Sequence, residues 1–324
     1  MARRGTATRT RPLLVPALWV ALALATTLIA AALAGALRGA PLPTVVGAGL
    51  SRITADVAGV ACVGLALIAI LLPAADREAD RVRRTADRAL VGAGGIWVAV
   101  ALPGVAFGAA VGVGRPVTSL TTSDLVAWTT ALAAGRGAVL AAACAAVVLG
   151  CAIARLRDPD AVPVRVVLVV ALLGLLTPAV TGHASSAPGH EVAVTTVALH
   201  VGAASLWVGG LAASLVLLGR RPTLLRTALP RFSKLAGACL VMVTVSGVLT
   251  AQVRLGSWTA LVTTGYGALV MAKVAALALL GGLGLAMRRR LARGGEPALR
   301  WAGLEAAVMA TTLGLAAALS QTAP

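Results

Sequence analysis

The chain has 324 residues, 59% of them hydrophobic and only 12% charged, with a formal net charge of +17. Soluble domains carry about 25% charged residues, so the polar surface here is too small to solvate a globule, and a set of water-soluble domains is excluded. Aromatics make up only 3%, and the apolar bulk is Ala, Val, Leu and Gly, small residues that let helices approach closely in lipid.

A helix needs about 20 apolar residues to cross about 30 Å of hydrocarbon. In chain order, segments 13–36, 50–72, 89–112, 136–154, 164–181, 191–218, 235–253, 265–287 and 301–320 meet that length, the fourth and fifth being the shortest. The expected fold is therefore all-α, a polytopic transmembrane bundle of about nine helices. It divides into residues 1–163, carrying the first four spans, and 164–324, carrying the last five. The connections are short and hold most of the Arg, Asp and Pro. The Arg-rich start followed by an apolar run and ALAGALRGA also fits a signal peptide. That run is longer than a usual signal core, and a retained first helix is the preferred reading.

Charge gives the orientation. Arg3, Arg4, Arg9 and Arg11 precede the first span; Arg77, Arg81, Arg83, Arg84 and Arg88 fall on the second connection; Arg155, Arg157 and Arg165 on the fourth. Arg220, Arg221, Arg226, Arg231 and Lys234 fall on the sixth, and Arg288, Arg289, Arg290, Arg293 and Arg300 on the eighth. Opposite them are only Arg38, Arg52, Arg115, Arg136 and Arg254. The positive-inside rule predicts an N-in, C-out topology in the cytoplasmic membrane. It also accounts for the net charge without nucleic acid as a partner: basic residues spread over five segments on one side suit anionic lipid headgroups of the bilayer.

Cys62, Cys144, Cys151 and Cys239 all fall inside predicted spans without a Cys-x-x-Cys pair, as packing residues do. Polar residues at membrane depth are more informative, because they face a bundle interior or a pathway. Lys273 lies within the eighth span, with Tyr266 seven residues earlier on nearly the same face. Glu305 lies in the first turns of the ninth span, so Lys273 and Glu305 are candidates for an interhelical ion pair or a helix-locking contact, the alternative being that Glu305 pairs with an arginine of a connection. Asp56 follows Arg52 by four residues, the spacing of a local pair.

The three histidines all fall between positions 183 and 200, in TGHASSAPGHEVAVTTVALHVGAASLWVGG. His183 and His190 are placed on the outer side beside a Pro-Gly turn. His200 is ten residues into the sixth span, about 15 Å along the axis and so near the bilayer midplane. Trp207 shares its face, and Gly202, Ser205, Gly209 and Gly210 make the neighbouring surface small. Imidazole is the commonest metal ligand, and thioethers favour Cu(I). The histidines form a candidate copper path from the outer face to the membrane middle, with Met242, Met271 and Met309 as weaker candidate ligands.

The segments TGHASS, LHVGAASLWVGGL, RFSKLAGACLVMVTVSGVLTA and LVTTGYGALVMAKVAALALL, followed by Arg300, Glu305 and a terminal LSQTAP, resemble the copper-resistance protein D (CopD) family over residues 177–324. The N-terminal half resembles the less distinctive extension of actinobacterial members, whose high-GC codon usage suits this Ala/Arg-rich composition. On matching positions the family-type residues are His183, His200, Trp207, Arg231, Phe232, Ser233, Tyr266, Lys273 and Glu305. The resemblance implies copper, transported or bound, and copper movement across the cytoplasmic membrane in the inward direction, for resistance or supply to cuproenzymes. With no Met-rich extracellular segment and no fused copper-binding domain, copper capture from a separate periplasmic copper-binding protein is the matching expectation.

Two other readings compete. One is a non-transporting membrane assembly factor for cuproenzymes. The other is a b-type redox protein, but bis-His haem needs two histidines at matched depth on facing helices. His190 and His200 share one predicted helix, so haem is the poorer fit. No paired carboxylates, no Ser-His-Asp set and no phosphate-binding glycine loop with Lys and Ser/Thr occur, and the expectation is that the chain is not an enzyme.

Overall fold

The computed structural model describes residues 41–181, 190–255 and 265–293, with Thr259 and Thr263. The expected first and ninth spans lie outside the described residues, as do His183, Glu305 and Met309. Among the described residues all regular structure is helical. The helices are α1 (Leu42–Leu71), α2 (Arg77–Val113), α3 (Thr122–Ala131), α4 (Ala133–Arg157), α5 (Val164–Val180), α6 (His190–Leu218), α7 (Pro222–Leu255) and α8 (Gly265–Ala292). Five of them, α1, α2, α4, α6 and α7, are long and apolar enough to cross a membrane. The chain is a multi-pass membrane protein.

α1 is the centre of the bundle, packed by α2, α5 and α6. Its second half is sealed from all sides: Cys62, Val63, Ala66 and Ile68 have no exposed surface. Glycine makes that possible. At the α1–α6 crossing a Cβ on Gly64 would overlap the Gly209 backbone, and one on Gly209 would overlap the Val60 carbonyl. The two backbones touch there, so dispersion is gained along both helices where lipid supplies no hydrophobic drive for association. Trp97 of α2, 2% exposed, fills the space left by Gly59 of α1 and Gly174 of α5.

Two sequence expectations are corrected. The basic connections are largely helical: α2 begins at Arg77 and α7 at Pro222, so Arg77 to Arg88 and Arg226 to Lys234 lie on helices that run past their apolar stretches. Backbone hydrogen bonding does not stop where hydropathy falls, and Asp76 caps α2 by accepting from the N–H groups of Glu78 (2.7 Å) and Ala79 (3.0 Å). The third connection, read as a short link between spans, contains a helix of its own, α3. Thr121 caps it in a reciprocal box with Asp124: the Asp124 N–H donates to Thr121 Oγ1 (3.2 Å) and the Thr121 N–H to Asp124 Oδ2 (3.1 Å). Trp128 then lies over Gly108 and Gly112 of α2.

Arginines also fasten helix ends. Four carbonyls at a helix C-terminus lack intrahelical partners. At the end of α1, Arg83 donates to the carbonyls of Ala69, Leu72 and Pro73 at 3.4, 3.2 and 2.6 Å, and Arg231 donates to that of Leu71 at 3.0 Å.

Candidate functional site

The α6–α7 interface begins from small residues on α6. Phe232 of α7, 4% exposed, lies against Gly210, whose missing side chain makes room for the ring. Trp207, Leu211, Cys239 and Val243 complete this apolar layer, with Leu67 from α1 and a flank of Leu277 from α8. Two residues marked by sequence, Trp207 and Phe232, therefore meet in one cluster. Arg231, the neighbour of Phe232, points to the other end of the interface and serves α1 as described.

Beyond this layer stands His200. It is half-buried, and its Nδ1 is 2.9 Å from Ser246 Oγ on α7. Ser246 is 3% exposed. Its hydroxyl donates back to the Met242 carbonyl at 2.6 Å, with the Val243 carbonyl at 3.2 Å. A serine hydroxyl has one hydrogen. With that hydrogen on the Met242 carbonyl, Oγ is an acceptor for Nδ1–H; in the neutral form of the ring that tautomer carries its lone pair on Nε2. A neutral imidazole held through one nitrogen while the other carries the lone pair is the form that ligates a metal. Gly247 lies beside the ring, 3.9 Å from His200 Cε1 measured from an added Cβ, so the pair occupies close-packed helix surfaces. Sequence reasoning missed Ser246, which is 46 residues from His200.

The other expected site residues are dispersed. Met242 precedes Ser246 by one turn on α7 and is 41% exposed; Met271 on α8 is 50% exposed. His190 opens α6, about 15 Å from His200 along the axis, and its side chain lies outside the described part. Tyr266 and Lys273 are on α8, again with side chains outside it, so the Lys273–Glu305 contact is not among the described interactions. Asp56 accepts from Arg52 Nε at 2.9 Å, one turn away and exposed. Among the described residues no group of three or more His, Cys, Asp or Glu could hold a metal ion together. The four cysteines are unpaired thiols, with Cys62, Cys144 and Cys239 buried.

A second polar feature escaped the sequence reading. Asp87 of α2 and Arg155 of α4, 1% and 5% exposed, form an ion pair in the bundle. Arg155 Nε donates to Asp87 Oδ1 at 2.9 Å and Nη2 to Oδ2 at 3.4 Å, while Nη1 donates to the carbonyls of Pro159 (2.9 Å) and Val162 (2.6 Å). A two-pronged contact of this kind suits Arg rather than Lys.

Comparison with known proteins bears on what these helices serve. A family model described as copper resistance protein D matches residues 226–319, and one described as the copper resistance protein D-like N-terminal domain matches residues 43–194. No curated protein and no solved structure matches the chain. The first match takes in Phe232, Met242 and Ser246 and the second takes in α1 to α5; the chain belongs to the copper resistance protein D family, a family of copper-resistance membrane proteins.

Proposed function

We propose that this chain carries copper ions inward across the cytoplasmic membrane, with His200 as a ligand on the path and His183 and His190 at its outer end. The observation that carries the reading is the His200–Ser246 pair: a half-buried imidazole in a helix interface, held through Nδ1 at 2.9 Å by a hydroxyl itself anchored to its own helix. An imidazole at membrane depth is costly unless it serves a pathway or a partner. Thioether groups offer soft donors for Cu(I), and Met242, one turn from Ser246, is the nearest candidate along α7. In this reading the chain crosses the membrane about nine times with its N-terminus inside, and an extracytoplasmic copper-binding protein delivers the ion.

Reconstituted vesicles test this directly. Purified chain should load vesicles with copper, and His200→Ala should abolish most of that loading while the protein remains folded. Equal accumulation by wild type and H200A would refute the assignment of His200. Copper bound by the wild type without any accumulation would instead favour a non-transporting assembly factor.

A further inference from the structure

We propose that a cleft between α2, α4 and the start of α5 binds the phosphodiester headgroup of an anionic lipid. The cleft has a volume of ≈ 690 Å³ and is lined from α2, from Arg155, from the 158–163 connection and from Arg165 on the first turn of α5. Its floor is already satisfied. Arg155 spends its guanidinium on Asp87 and two loop carbonyls, and Arg83 spends its own on Asp80 (2.6 Å) and the end of α1. These contacts fix the walls and cancel two of the three lining carboxylates.

Two lining guanidiniums are left. Arg84 and Arg165 are both exposed, reach the cleft from different helices, and have no acidic partner among the described residues. One lining carboxylate, Asp160, is left with them. Two cations against one anion leave a single positive charge, which suits a singly charged phosphodiester better than a doubly charged free phosphate. Guanidinium groups also match the geometry of phosphate oxygens.

The surface leading away from the cleft fits the rest of a lipid. Val166, Val169 and Leu173 follow Arg165 along α5 at helical spacing and are 41%, 53% and 52% exposed. They form an apolar stripe starting one residue from the guanidinium. Arg84 lies on α2 just before its apolar stretch, so the cleft sits at the end of the hydrocarbon where headgroups lie. A free anion has no use for such a stripe; an acyl chain does.

The test uses the full chain in detergent, with native mass spectrometry of retained lipid. Phosphatidylglycerol should be retained and phosphatidylcholine should not. The combined Arg84→Gln and Arg165→Gln variant should bind phosphatidylglycerol about 25-fold more weakly, at about fivefold per guanidinium removed. Arg84→Lys with Arg165→Lys, which keeps the charge, should retain most of the lipid. Arg226→Gln with Arg289→Gln, exposed cations elsewhere, should leave retention unchanged. Unaltered retention in the R84Q/R165Q protein, or equal loss in the control, would overturn the proposal. So would displacement of the lipid by millimolar inorganic phosphate, which would assign the cleft to a free anion. If the double variant does not fold, each single Gln variant is read alone, with about a fivefold loss expected.

Discussion

Removing the Asp87 carboxylate should cost this protein more than any other single polar deletion in the described bundle. In Asp87→Ala the guanidinium of Arg155, 6% exposed at its side chain, loses contacts at 2.9 and 3.4 Å. Breaking a buried pair by removing one partner costs about 3–5 kcal/mol, because the other charge stays buried. Here the value should fall at the lower end, about 3 kcal/mol: Nη1 keeps the Pro159 and Val162 carbonyls, and the adjoining cleft admits water. Asp87→Ala combined with Arg155→Met should recover much of the loss, since an apolar replacement of both partners is often neutral. Thermal or denaturant unfolding of the four proteins in one detergent, followed by circular dichroism, closes the double-mutant cycle. A loss below about 1 kcal/mol in D87A, the range of an exposed pair, would refute the claim that this ion pair holds α2 to α4. So would a double variant as unstable as the two single losses added together.

Three further outcomes follow from the geometry. Gly64→Ala should destabilise the α1–α6 crossing by about 1–3 kcal/mol through overpacking, whereas Gly92→Ala, with open space at its Cβ, should be neutral or gain up to about 1 kcal/mol from helix propensity; unfolding midpoints of the two variants decide it. The α3 cap should be pH-dependent in one direction only. Asp124 is held below the usual carboxylate range by the Thr121 hydroxyl, by the Thr121 N–H and by Arg115 at 3.7 Å, so its contribution is complete above about pH 4 and fades as pH falls further. Asp124→Asn should remove that dependence, as read by amide exchange over residues 121–125 corrected for intrinsic rates. Ser246→Ala should weaken copper binding about tenfold, as loss of a hydrogen-bond partner to a metal-ligating His does, without the full loss expected of H200A; unchanged copper affinity by competition with a chelator would remove Ser246 from the site.

Much of the bundle is legible because a membrane span declares itself by length and apolarity. The segments expected at 50–72, 89–112 and 191–218 each fall within or close to one helix, α1, α2 and α6. What hydropathy cannot report is where a helix ends once it leaves the hydrocarbon, so the arginines of α2 and α7 read as connection in the sequence although they lie on helices. α3 had a local signal, the T-x-x-D spacing of Thr121 and Asp124, in a segment set aside as connection.

The basic residues show the same boundary between composition and structure. Their one-sided distribution suggests an orientation, and lipid headgroups suffice to explain it as a set. Individually they divide. Arg83 and Arg231 close the end of α1, Arg155 is neutralised by Asp87, and Arg221 lies 3.8 Å from Glu78. Each of these partners comes from another helix or from beyond a turn, so the assignment follows from packing that no span-by-span reading contains.

His200 follows the same logic. Its depth is legible in the sequence, ten residues into an apolar run. Its partner required the register of α6 against α7, and a hairpin folded symmetrically about the turn after Leu218 would bring His200 toward Leu240 instead. The observed pairing lies nearly two turns further along α7. α7 starts inside the basic segment at Pro222 and runs for 34 residues, so the two helices do not begin or end level. The glycines at 209 and 210 then fix the register by admitting α1 and Phe232. A site built from one residue on each of two helices is thus specified by the packing of a third, and substitution at Gly64 should disturb the His200–Ser246 distance as well as stability.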